Sequence, residues 1–148
     1  MRAFAFGIAA LLALAIGKDS TAAGNASPIG RWRTEGGGSH IEIYRCGQHL
    51  CGRIVWLKEP RDQDGQIAVD SKNPDPAKRT RTLVGLTMMW NFTAASDPDE
   101  WEGGRIYNPR DGDTYRGMMK LQPDGSLEVR GYIAVPVLGG STVWKRVR

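Results

Sequence analysis

The chain is poor in the residues that carry most protein chemistry. Among its 148 residues there are two cysteines and two histidines. A zinc site takes about four ligands, and Cys46, Cys51, His40 and His49 are the whole supply of thiols and imidazoles. No G-x-S-x-G, H-E-x-x-H or cysteine–histidine nucleophile arrangement occurs, so the sequence points away from an enzyme and calls for no metal or cofactor. Internal repeats, heptads and low-complexity tracts are also missing. Lysine and arginine total 20 against 16 acidic residues, a net charge of +4 with no basic block. That pattern lacks a nucleic-acid footprint. The pairs Met88-Met89 and Met118-Met119 raise Cu(I), which favours thioether ligands. Adjacent residues of a strand point to opposite faces, so neither pair can chelate as a unit.

Long apolar runs are absent except at the start. Arg2 precedes AFAFGIAALLALAIG (Ala3–Gly17), and STAA (Ser20–Ala23) follows. A positive residue, a short apolar stretch and a small-residue cleavage site read as a signal peptide over residues 1–23. The expected mature domain is 24–148, without a transmembrane segment, exported to the periplasm or beyond. Without Arg2, Lys18 and Asp19, 18 basic and 15 acidic residues remain.

Export places Cys46 and Cys51 where disulfides persist. HIEIYR and GRIVWL flank the pair and read as strands, and GQHL between the cysteines suits a hairpin loop. The expected register sets Cys46 opposite Cys51, Tyr44 opposite Arg53 and Glu42 opposite Val55. The spacing is C-x4-C with no βαβ pattern around it, which argues for a staple rather than a redox pair.

Turn signals punctuate the rest: RDQDGQ, PRDGD, QPDGS and LGGS. Between them lie IGRWRT, SHIEIYR, GRIVWLK, LVGLTMMWNF, GGRIYN, TYRGMMKL, SLEVRGYIAV and STVWKRV, with QIAVD as a candidate ninth. About eight short strands joined by tight turns predict an all-β barrel or sandwich. Alternation puts Val84, Leu86, Met88, Trp90 and Phe92 on one face of their strand. It also groups Leu127, Val129, Ile133 and Val135, and turns Tyr115, Met119 and Leu121 inward.

The connection near residues 58–82 is long. Its NPDP steps disfavour helix at Asn73 and Asp75, and Asp75-Pro76 can open a single helical turn. Asp70, Asn73, Asp75, Arg79 and Arg81 form the densest chemical cluster in the sequence. The reading preferred here is a structural plug, in which the short polar side chains cap backbone groups and the arginines pair carboxylates.

The motifs GRW (Gly30–Trp32), LCGRIVWL (Leu50–Leu57), D-x-x-NPDP-x-x-R-x-R-x-L-x-G (Asp70–Gly85), W-x-GG-x-IYNP-x-x-G-x-x-Y (Trp101–Tyr115), L-x-VRGY (Leu127–Tyr132) and W-x-R (Trp144–Arg146) occur in order over nearly all of the mature chain. Together they resemble the secreted bacterial domain-of-unknown-function family 2147. The resemblance implies a small, antiparallel, up-and-down β-barrel of lipocalin type and brings no activity with it. Gly30, Trp32 and Arg146 resemble the lipocalin barrel closure, where an arginine of the last strand lies over a tryptophan of the first.

Two functions follow as expectations. In the first, the barrel holds a small apolar or amphipathic ligand, with Trp56, Met88, Trp90, Tyr115, Met119, Ile133 and Trp144 as candidate liners. In the second, the core is filled and a basic patch of Arg79, Arg81, Arg105 and Arg110 binds an envelope component.

Overall fold

The computed structural model describes residues 26–148. The signal peptide expected over residues 1–23 lies outside the described residues. Eight antiparallel strands close into an up-and-down barrel in sequence order: β1 (Gly30–Arg33), β2 (Ser39–Cys46), β3 (His49–Leu57), β4 (Thr87–Ala94), β5 (Glu100–Asn108), β6 (Asp113–Leu121), β7 (Leu127–Tyr132) and β8 (Gly139–Arg146). Pairing of Trp32 with Arg146 joins β1 to β8 and removes the sheet edges. The candidate ninth strand is instead two isolated bridges, Arg61 with Ile67 and Val69 with Thr82. No helix among the described residues is long and apolar enough to cross a membrane.

Cys46 and Cys51 are bonded to each other, with Cα atoms 5.8 Å apart. The register differs from the expected one: Cys46 pairs with His49, Tyr44 with Cys51 and Glu42 with Arg53. The turn therefore has two central residues, Gly47 and Gln48, and Gly47 adopts φ 64°. Glycine at the first central position is what a tight type II′ hairpin requires. The disulfide thus runs diagonally across the hairpin.

Bulges break the alternation on which the face assignments rest. Along β4, Thr87, Met89 and Phe92 pair with Arg53, Gly52 and Leu50, so two extra residues enter, one at Met88 and one at Trp90–Asn91. Asn91 takes the left-handed conformation, φ 62°. Each inserted residue shifts the phase by one. Met89 is consequently buried along with Phe92, while Val84 precedes β4 and is exposed. In β3, Ile54 pairs with Ile41 but Trp56 with His40, so the extra residue is Val55. Ile54 and Leu57 face the interior, whereas Trp56 is 43% exposed and packs its ring 4.4 Å from that of His40. Ile133 and Val135 lie beyond the end of β7 and are exposed, because strand alternation has stopped there.

One half of the barrel is filled. Trp32, Ile41, Ile43, Leu50, Phe92 and Met119 belong to a single buried cluster. The Phe92 ring lies against two inward glycines: a Cβ on Gly104 would stand 2.4 Å from it, and one on Gly117 2.7 Å. Arg146 covers this end, its guanidinium 4.2 Å from the Trp32 ring centre. It also donates to the carbonyls of Ile29 (3.0 Å) and Ser27 (2.8 Å), while the Trp32 indole donates to Pro28 at 2.7 Å. Gly30, at φ 135°, leaves the guanidinium its space, since a Cβ there would meet Nη1 at 2.8 Å.

Candidate functional site

The β1–β2, β3–β4, β5–β6 and β7–β8 connections all lie at the other end of an up-and-down barrel, and there the packing stops. A cavity of about 550 Å³ opens between them. Ile54, Leu57, Leu83, Met88, Ile106, Val129 and Trp144 supply its apolar lining. Thr34, Glu35, Ser39, Asn108, Arg110, Tyr115 and Thr142 give it a polar rim. A shallow cleft of about 480 Å³ at the closed end borders the N-terminal Ala26–Ile29 segment. The first cavity is the one that descends between inward-facing strand residues.

The rim is held by hydrogen bonds. In the β5–β6 turn, Asp111 accepts from the Asp113 amide at 2.8 Å, from the Tyr115 hydroxyl at 2.8 Å and from the Asn108 amide at 2.9 Å. These donors, the Asp113 amide first, hold its carboxyl below the usual range. The bond to Asp111 in turn raises the Tyr115 phenol. Tyr115 thus enters the mouth with a fixed orientation, beside Arg110.

The long connection packs on the outside of the wall. Ile106 and Asn108 border the cavity, so alternation turns Tyr107 outward. There it is buried beneath residues 69–82. Asp70, fully buried, accepts from the Tyr107 hydroxyl at 2.5 Å, the Asn73 amide at 2.8 Å and Arg81 Nη2 at 3.1 Å. Asn73 Oδ1 accepts the Asp75 amide (2.9 Å), and Asp75 caps the 3-10 turn at Pro76–Lys78 through the Ala77 amide (3.0 Å). Arg79 departs from the expected carboxylate pairing and donates to the Asn73 carbonyl at 2.7 Å. The strap ends by sending Leu83 into the barrel mouth. Its five polar residues are engaged with one another and with the wall, outside the cavity lining.

The sequence profile of a bacterial family, described as "Uncharacterized protein conserved in bacteria (DUF2147)", matches residues 30–146. The chain belongs to this family. Among solved structures, protein HP1028 from the human pathogen Helicobacter pylori, described as belonging to the lipocalin family, superposes with a TM-score of 0.71. Identity is 22%, over 83% of this chain and 84% of that one, so the likeness shows the fold: a lipocalin-like barrel. No functionally curated protein matches the chain significantly.

For this member of the DUF2147 family, the structure separates the seven candidate liners. Met88, Tyr115 and Trp144 border the cavity. Met119 is buried in the filled half, Trp90 is part of the wall, and Trp56 and Ile133 are exposed. Sequence reasoning missed Glu35 and Leu83 and named Arg110 only for a basic patch; all three lie in connections, where periodicity carries no information. The four arginines of the proposed basic patch do not form one free cluster. Arg81 is paired with Asp70, Arg79 is bound to a carbonyl, and Arg105 and Arg110 lie on separate elements. Among the described residues, no group of three or more His, Cys, Asp or Glu side chains is placed to hold a metal ion.

Proposed function

We propose that the protein is an exported carrier that holds a small amphipathic ligand in the open half of its barrel. The carrying observation is the cavity of about 550 Å³, within the roughly 300–1,000 Å³ that small-molecule sites occupy. Its chemistry supports an amphipathic occupant: an apolar floor takes a tail, and Arg110, Tyr115 and Asn108 at the rim take a polar head. The Cys46–Cys51 disulfide suits an oxidising compartment, in keeping with the signal peptide read from residues 1–23.

The test has two parts. Native mass spectrometry of protein purified without refolding should show a bound species. Titration with 1-anilinonaphthalene-8-sulfonate should saturate at one site per chain and lose at least tenfold in affinity in Thr142→Trp, which fills the cavity opposite Val129. No bound species together with no saturable dye response would sink the reading.

A further inference from the structure

Exposed large apolar side chains are unevenly distributed. Of nine such residues, Trp56, Ile67, Val84, Ile133, Val135, Val137 and Leu138 lie at the mouth end of β3 or in the connections of that end. Four of them fall within the β7–β8 loop and are 46–79% exposed. From Gly131 to Val143 the sequence has no charged residue. The residues at the loop's two bases, Gly131 and Gly140, border the cavity.

Five of the loop's carbonyls are paired within the protein. The carbonyl of Ile133 accepts from the Val135 amide (2.8 Å), and that of Val135 from the Leu138 amide (3.0 Å). The Ala134 carbonyl accepts from Arg116 (3.3 Å), Pro136 from Arg130 Nε (2.5 Å) and Gly139 from Arg130 Nη2 (3.3 Å). Water would satisfy these oxygens at no cost in order. Pairing them inside the protein matters when the loop enters a medium that offers no donors.

Just below the loop, Arg105 and Arg116 are directly opposite on β5 and β6. Both point outward, because their neighbours Gly104, Ile106, Tyr115 and Gly117 face inward. Like charges in this position cost stability, and no carboxylate among the described residues pairs with either. An anionic surface would relieve that repulsion.

We infer that the β7–β8 loop is a wedge that docks the barrel mouth on an anionic lipid bilayer. Its apolar tip enters the headgroup boundary while Arg105 and Arg116 meet lipid phosphates. Four side chains on one loop fall far short of the 20–30 residues a side of a stable protein interface, which favours a lipid surface over a second copy. Shallow burial of apolar side chains combined with attraction to anionic lipid is how peripheral proteins hold membranes. The inference rests on the carrier reading only for its purpose, the exchange of an amphipathic ligand with the bilayer through the adjoining mouth.

The test is flotation of the mature protein with vesicles of phosphatidylethanolamine and phosphatidylglycerol, or of phosphatidylcholine alone, at low and high salt. The expected result is partition at least tenfold stronger on the anionic vesicles, weakened by salt and by Arg105→Ser, and abolished by V137D/L138D. Both tip residues are largely exposed, so the double variant should retain its fold, its circular dichroism and its dye binding. Retained dye binding with lost flotation separates docking from cavity occupancy. Equal flotation of variant and parent overturns the inference. So does absence of flotation in the parent, or self-association in solution that V137D/L138D abolishes without any vesicle binding.

Discussion

The Tyr107 hydroxyl donates to Asp70 at 2.5 Å and joins positions 37 apart in sequence, fastening the long β3–β4 connection to the outer wall of β5. Tyr107 lies between two rim residues, Ile106 and Asn108, so whatever holds the strap on the wall also sets the shape of the mouth. Asp70 has no solvent contact, and its donors come from the wall, from the turn at Asn73 and from the returning chain at Arg81. A carboxylate so placed specifies one strap conformation, because any other leaves buried groups without partners.

Removing a single donor tests this directly. Tyr107→Phe should lower unfolding stability by about 1–3 kcal/mol, the cost of an unmet buried partner. Asp70→Ala leaves three donors without their acceptor, two of them buried, and should cost about 2–6 kcal/mol. Urea unfolding of both variants measures the difference. Equal, negligible losses would show that the strap is held by apolar contacts alone.

The same bond predicts an alkaline weakness. Burial, with the hydrogen bond to Asp70 and its charge, pushes the Tyr107 phenol from its ordinary value of 10 up to about 12. A pKa raised on folding stabilises the protein fully below the unfolded value of 10. That contribution fades as pH climbs through the folded value of about 12. Urea midpoints should therefore fall between pH 10 and 12. In Tyr107→Phe the fall should be shallower, with a remainder from Tyr115, whose phenol is raised by its bond to Asp111.

The disulfide should affect stability and leave binding alone. It closes a short loop at the hairpin opposite the mouth, so the chain-entropy estimate is about 2 kcal/mol. Cys46→Ser/Cys51→Ser should lose that much in urea, with dye affinity at the cavity unchanged within twofold. A matched loss of dye affinity would show that the closed end and the mouth are coupled.

Strand number and order, the disulfide partners, and the Trp32–Arg146 pair were legible because they rest on local composition and motif residues. Trp56 and Trp90, both expected to line the cavity, show where legibility ended. A period of two is readable only while no residue is inserted, and bulges at Val55, Met88 and Trp90–Asn91 reset it. The Asn91 conformation leaves no clear mark in the sequence, since asparagine tolerates positive φ in many settings. The Asp70–Arg81 cluster was visible as a polar group. Its principal partner, Tyr107, was not, because that contact depends on which stretch of wall the strap covers.

Two glycines on inward faces distinguish the filled half of the barrel from the open half. At Gly104 a methyl group would lie 2.4 Å from the Phe92 ring, inside a core with no room to yield. At Gly131 it would meet Tyr115 Cβ at 3.6 Å, an ordinary contact at the edge of the cavity. Gly104→Ala should therefore cost about 1–3 kcal/mol or more through overpacking. Gly131→Ala should stay within about 0.5 kcal/mol of the parent, yet weaken dye binding several-fold by narrowing the mouth. Thermal unfolding and dye titration of the two variants give the outcome. If both glycines proved equally intolerant in stability, the mouth would be packed in solution and the cavity would close without its ligand.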